Sequence, residues 1–288
     1  MDANLIRRVG FAAVAIPVAL ALIWYGGVPL VLVLALAAAL GARELFDLAA
    51  RQGLQPIRIL GLVSAAALAP LVYASLASDQ AHDWLSDAWP YLTALWVVIL
   101  LTWVLTLRSP DDRPLSVAGV TLLAVAYTGA LPAFLLAIRH ARYPIQSWRG
   151  AWLVFFPLVV TWVCDTAAMF GGRRFGGPKL APRVSPGKTR SGSTAGVVGG
   201  VLVAPVFGAV IFPHVGLDIP LWHLLIIAGV LSVIGQIGDL VESVFKREAG
   251  VKDSSGLIPG HGGVLDRFDS LYFVIPVAAA MYHLFGVI

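Results

Sequence analysis

The chain has 288 residues, 59% of them hydrophobic and 12% charged, with a mean hydropathy of +0.85. Soluble domains carry roughly 25% charged residues, so an ordinary water-soluble enzyme is excluded. The net charge of +4 is too small to argue for nucleic acid, and none is expected as a partner; the single cysteine, Cys164, excludes an internal disulfide and a multi-cysteine metal site.

Apolar runs of roughly 20 residues recur along the chain and predict an all-α polytopic membrane protein. About nine transmembrane helices are expected, near 9–25, 28–43, 57–77, 90–107, 115–138, 151–170, 195–213, 221–238 and 269–288. The runs are continuous rather than alternating, which argues against a β-barrel. Arg7 and Arg8 precede the first run as in a signal peptide. It leads straight into a second apolar helix after Gly26-Gly27, so a retained span is expected.

Basic residues set the orientation. With the N-terminus inside, 17 of the 20 Lys and Arg fall on cytoplasmic segments, including both long polar loops, 171–194 and 239–268. Arg139, Arg142 and Arg149 fall outside, against the rule. Residues 1–150 read as transmembrane scaffold, whereas 151–288, and above all 151–270, hold nearly all the chemistry.

Three polar elements stand out. Asp165 lies in the apolar run 151–170, about six residues and roughly 9 Å of rise before Gly171. An ionisable group at that depth faces a partner or a wet cavity. The blander reading pairs it with a neighbouring arginine or hydroxyl.

The second element, residues 171–200, alternates six cations with Gly, Pro, Ser and Thr. That composition suits anions, or simply enforces topology at the membrane surface. Ser185, Pro186, Lys188, Thr189 and Gly192 lead into a helix whose N-terminus attracts negative charge. Gly187-Lys188-Thr189 mimics the end of a Walker loop, but Pro182 stands where its first glycine belongs, so that reading fails. Gly192, Gly196, Gly200, Ala204 and Gly208 then recur every fourth residue, a stripe for close helix packing.

The third element, 239–270, gathers six acidic residues (Asp239, Glu242, Glu248, Asp253, Asp266, Asp269) and four basic ones (Lys246, Arg247, Lys252, Arg267). Carboxylates hold divalent cations, while Lys, Arg and glycine backbone hold phosphate. If its start is helical, Asp239, Glu242, Ser243 and Lys246 share one face; for Glu242 and Lys246 alone, a surface i,i+4 pair is the simpler reading. Pro259, Gly260, Gly262 and Gly263 favour an irregular loop around His261. Asp165, Asp239 and Asp266 all lie near one end of their spans, so packing would bring several carboxylates to one level.

The run Ser243-Val244-Phe245-Lys246-Arg247, followed after four residues by Lys252-Asp253, closes with Pro259-Gly260-His261-Gly262-Gly263-Val264-Leu265-Asp266-Arg267-Phe268-Asp269. This pattern resembles the signature of the phosphatidate cytidylyltransferase (CDP-diacylglycerol synthase) family. Ser185-Pro186-x-Lys188-Thr189-x-x-Gly192 and Asp165 before a Gly/Arg-rich loop support the resemblance; Ser191 departs from it, since relatives often carry Glu or Gln there. The motif-bearing match covers roughly 150–288.

The resemblance implies that CTP and phosphatidate react to CDP-diacylglycerol and pyrophosphate with Mg²⁺, a second ion being left open. It implies metal binding by Asp239 and Asp266, with Asp165 and Asp269 as supporting or second-ion ligands. Lys188, Lys246, Arg247, Lys252 and Arg267 would neutralise the triphosphate and departing pyrophosphate. His261 would donate to a phosphate oxygen or position its loop, and Ser185, Thr189, Ser243, Asp253, Gly262 and Gly263 would complete the substrate contacts. The partners implied are CTP, phosphatidic acid and membrane lipids, at the cytoplasmic face of a bacterial inner membrane; a homodimer is left open. Two rivals stand beside this reading: another CTP-dependent lipid enzyme of the polyprenol kinase kind, and an ion-coupled transporter, whose site would lie near mid-membrane. A CDP-alcohol phosphotransferase would need a D-G-x-x-A-R motif, which the chain lacks.

Overall fold

The computed structural model describes residues 3–258, 260 and 262–288; Pro259 and His261, the latter expected to meet phosphate, lie outside the described residues. Each expected apolar run falls on a helix. In order these are α1 (Ala3–Tyr25), α2 (Gly27–Ala50), α3 (Arg58–Ala77), α4 (Asp79–Leu107), α5 (Pro114–His140), α6 (Trp148–Phe175), α7 (Arg190–His214) and α8 (Leu221–Glu248), then a short α9 (Leu265–Phe268) and α10 (Leu271–Leu284). Among the described residues, seven helices, α2 to α8, are long and apolar enough to cross a membrane, and α10 has 14 residues. Their outward faces carry exposed Leu32, Leu36, Val63, Leu101, Leu105 and Val210. Such faces suit lipid, whose tails are as apolar as leucine.

Several helices outrun the apolar runs that announce them. α4 starts at Asp79 rather than near 90, and α8 continues to Glu248 rather than stopping near 238. Hydropathy marks the stretch that meets hydrocarbon, whereas backbone hydrogen bonding carries a helix onward wherever one face is buried in protein. The second departure matters more, because it puts Asp239, Glu242, Ser243 and Lys246 on one rigid helical face.

Alternating direction brings the ends of α2, α6 and α8 together with the starts of α7 and α9 at one end of the bundle. Between α6 and α7 the Gly/Pro-rich segment forms a small antiparallel hairpin, β1 (Lys179–Ala181) and β2 (Ser185–Thr189), with Lys179 opposite Thr189 and Ala181 opposite Ser185. Thr189 caps α7 by accepting from the Gly192 N–H at 3.1 Å. The small-residue stripe of α7 does pack closely: a Cβ on Gly192 would stand 2.7 Å from the Ala168 carbonyl of α6, and one on Gly208 would stand 3.1 Å from Leu224 of α8. A cluster of Ala38, Ala42, Leu45, Phe46, Tyr127, Leu265 and Tyr272 underlies the polar end.

The three arginines that break the charge rule sit at the opposite end, and each serves a helix C-terminus. Arg139 is fully buried and donates to Ile23 O and Trp24 O, both at 2.6 Å, and to Pro144 O at 2.9 Å. Arg142 donates to Gly286 O beyond α10, and Arg149 to Val215 O at the end of α7. The last carbonyls of a helix lack partners and carry partial negative charge, which a guanidinium satisfies. These cations are therefore consumed by the fold and do not report topology. Arg139→Met should lower stability by about 1–3 kcal/mol for each carbonyl left unpaired, whereas Arg142→Ala should change it by less than about 1 kcal/mol. Thermal unfolding in detergent measures both.

Candidate active site

A groove of about 550 Å³ opens at the polar end. Asp165, Met169, Gly172 and Arg173 of α6 form one wall, the hairpin contributes Lys179, Lys188 and Thr189, and Gln236 and Asp239 of α8 close the floor. Asp165 is exposed to it, and Lys188 and Asp239 are half-buried. Lys188 Nζ donates to Asp239 Oδ2 at 2.5 Å, while Ser243 Oγ reaches Asp239 Oδ1 only at 3.4 Å. Gln236, one turn deeper, is fixed by donation to Ser193 O at 3.3 Å and Ser232 O at 3.2 Å.

Asp165, Asp239 and Asp269 lie within Coulombic reach of one another and of Lys188, and Glu242 is within reach of Asp269 and Asp266. The acidic residues thus form a series running from the groove inward. Among the described residues no three of them converge closely enough to form a ready-made metal cage. A hard cation such as Mg²⁺ takes one or two carboxylates and fills its other positions with phosphate and water. Asp239, with Oδ1 only weakly engaged, and exposed Asp165 are the open donors of the groove.

A second, buried network lies behind the groove. Lys246 Nζ stands 2.6 Å from Asp266 Oδ1 and 2.9 Å from Glu242 Oε1. The surface-pair reading of Glu242 and Lys246 is overturned: they are 0% and 8% exposed, because α8 turns this face into the protein. The Lys246–Glu242 contact is close enough for an ion pair but lacks hydrogen-bond alignment, so neither Glu242 oxygen is hydrogen-bonded among the described residues. Asp266 Oδ2 accepts from Ser254 N, Ser254 Oγ and Gly263 N at 2.7–2.8 Å. Burial pushes the Asp266 carboxyl up, but these donors and Lys246 together hold it below the usual carboxylate value.

The other expected residues are dispersed around these two centres. Arg247 ties the hairpin to the end of α8 by donating to Val184 O at 3.2 Å and Val251 O at 2.7 Å. Lys252, Asp253 and Arg267 are exposed, and Ser185 is partly buried in β2. Gly262, at φ +81°, lies where a Cβ would come within 2.6 Å of Asp266. Ser191, the departure from the family pattern, donates to Gly176 O and pairs with Thr189 Oγ1, tying the base of the hairpin. Sequence reasoning missed Arg173, Lys179 and Gln236 in the groove, and missed Glu44 of α2, which is hydrogen-bonded to the motif loop.

A bundle of apolar helices carrying one groove of mixed carboxylates and cations at its end defines an integral membrane protein with a polar site at its rim. The model of the cytidylyltransferase family matches residues 6–285, and the chain belongs to that family. It is similar to the phosphatidate cytidylyltransferase of Staphylococcus saprophyticus, 35% identical over 92% of this chain and 94% of that protein. It is also similar to those of Bacillus subtilis (36% identical, 86% and 87%) and Haemophilus influenzae (44% identical, 56% of each).

Proposed function

We propose that the protein is a phosphatidate cytidylyltransferase, converting CTP and phosphatidate to CDP-diacylglycerol and pyrophosphate at the cytoplasmic face of a bacterial inner membrane. The observation that carries the reading is the groove in which Asp165 and Asp239 share one cavity with Lys188, Arg173 and Lys179. A phosphomonoester oxygen of phosphatidate attacks the α-phosphorus of CTP; the new P–O bond forms as the α–β bridging P–O bond breaks, and pyrophosphate carries off the electron pair. The attacking oxygen is already anionic, so no strong general base is required. The obstacle is repulsion between two phosphates, which Lys188, Arg173 and Lys179 relieve while orienting the triphosphate. Asp239 and Asp165, with Asp269 nearby, would hold Mg²⁺, which neutralises charge and fixes the phosphates in line when bound.

The orientation rests on the 17 cations assigned to cytoplasmic segments, the other three being helix caps. A groove at the helix ends suits a reaction between a headgroup and a cytosolic nucleotide better than it suits transport. Purified protein with phosphatidate should form a liponucleotide and pyrophosphate with CTP, but not with ATP or GTP, and chelation of divalent ions should abolish the reaction. Equal use of ATP, or phosphorylation of a polyprenol, would defeat this reading.

A further inference from the structure

Glu44, near the end of α2, is 3% exposed. Its Oε1 accepts from Ser255 Oγ at 2.7 Å and Val264 N at 2.9 Å; its Oε2 accepts from Leu265 N at 2.8 Å and lies 3.0 Å from Ser254 Oγ. The three donors, and the Ser254 hydroxyl beside them, all belong to the motif segment 254–265. Glu44 is spaced with buried Gly41 and Leu48 on the stripe that α2 turns inward, where an apolar residue would serve the helix equally well. A carboxylate is disfavoured inside protein unless its lone pairs are filled, so this one is matched to the loop rather than to its own helix.

The contact reaches further. The Ser254 hydroxyl stands between Glu44 Oε2 at 3.0 Å and Asp266 Oδ2 at 2.7 Å, and the Ser254 N–H also donates to Asp266. Gly263 closes the arrangement: a Cβ there would run into Ser254 Oγ and Glu44 Oε2. On its other side Asp266 Oδ1 accepts from Lys246 Nζ at 2.6 Å, and the same ammonium stands 2.9 Å from Glu242 on α8.

We propose that Glu44 is a positioning residue for the transfer reaction: it pins the 254–265 loop and, through Ser254, holds the Asp266–Lys246 pair that seats α8, and with it Asp239, at the groove. The role rests on the cytidylyltransferase reading, and it makes the N-terminal helices part of the working site.

Two measurements on the full-length protein test it. In metal-free and nucleotide-free protein, Glu44→Gln should speed amide hydrogen exchange at Val264 and Leu265 at least about tenfold, leaving the amides of α2 and α8 unchanged. In initial-rate assays it should raise the half-activating Mg²⁺ concentration about 10–100-fold, the range for groups that orient a metal ligand. Ser254→Ala should do the same, and the double variant should be no worse than either single one, because both act through one path. Unchanged exchange and Mg²⁺ dependence, or additive effects, would overturn the proposal. Should Glu44→Gln not fold, Ser254→Ala carries the test by removing the shared hydroxyl without altering α2. If the wild type makes no liponucleotide, the functional reading fails, and the exchange measurement still decides whether Glu44 pins the loop.

Discussion

Asp239→Asn is expected to lower turnover on the order of 10²–10³-fold while the protein still folds and inserts. The residue is half-buried at the floor of the groove, where its Oδ2 holds Lys188 Nζ at 2.5 Å. The substitution removes the anionic oxygen available to a divalent ion. It also places an amide where the Lys188 ammonium now finds a full charge, so the cation proposed to meet the triphosphate loses its anchor. Two functions fail together, and Lys188→Ala should therefore reproduce part of the loss but not all of it. Glu248→Gln, at the exposed end of α8, serves as the control and should retain wild-type turnover. Rates measured across a Mg²⁺ series separate the two contributions: Asp239→Asn should shift the ion dependence, and Lys188→Ala chiefly the KM for CTP. Wild-type rates in Asp239→Asn would remove the metal role proposed for this residue.

The charges of the polar end divide into two populations. Lys188, Asp239 and Asp165 line the open groove. Lys246, Glu242, Asp266 and Glu44 are buried, Lys246 standing between Glu242 and Asp266, and Glu44 bound to the loop beside them. The second group fixes α8 against the motif loop, and in the proposed reaction that rigidity would let the first group meet phosphate without first being ordered. Lys246, expected from the motif to neutralise triphosphate, is buried in this structure between the carboxylates of Glu242 and Asp266.

The membrane architecture was legible because hydrocarbon imposes long apolar runs, and the shared face of Asp239, Glu242, Ser243 and Lys246 was legible because helical spacing is local. What escaped was non-local. Glu44 sits among Arg43, Asp47 and Arg51 and reads as the charged end of a span; its spacing from Gly41 and Leu48 along the buried stripe was the available signal. The hairpin at 179–189 was hidden by a Gly/Pro-rich composition that reads as loop, although its pairing brings Lys179, Lys188 and Thr189 to the groove. Arg139, Arg142 and Arg149 looked like topology errors because their partners, the carbonyls at the ends of α1, α10 and α7, lie far away in sequence.

Lys246→Met should be the most destabilising single substitution at the polar end, costing about 3–5 kcal/mol. Methionine matches the stem of lysine in length, so packing is largely kept, but Glu242 and Asp266 are left facing each other without the ammonium between them. Asp266 retains its three donors on Oδ2, whereas Glu242, at 0% exposure, would retain none. The penalty should therefore reside mainly in Glu242. Adding Glu242→Gln to Lys246→Met removes that uncompensated charge and should recover a large part of the lost stability, a coupling that independent sites would not show. Activity should stay low in the double variant, because the Asp266 carboxylate no longer has Lys246 to fix its Oδ1 edge. Thermal unfolding in detergent, read beside turnover, tests both halves, and a Lys246→Met protein as stable as the wild type would show that the buried ion network does not hold this end of the bundle together.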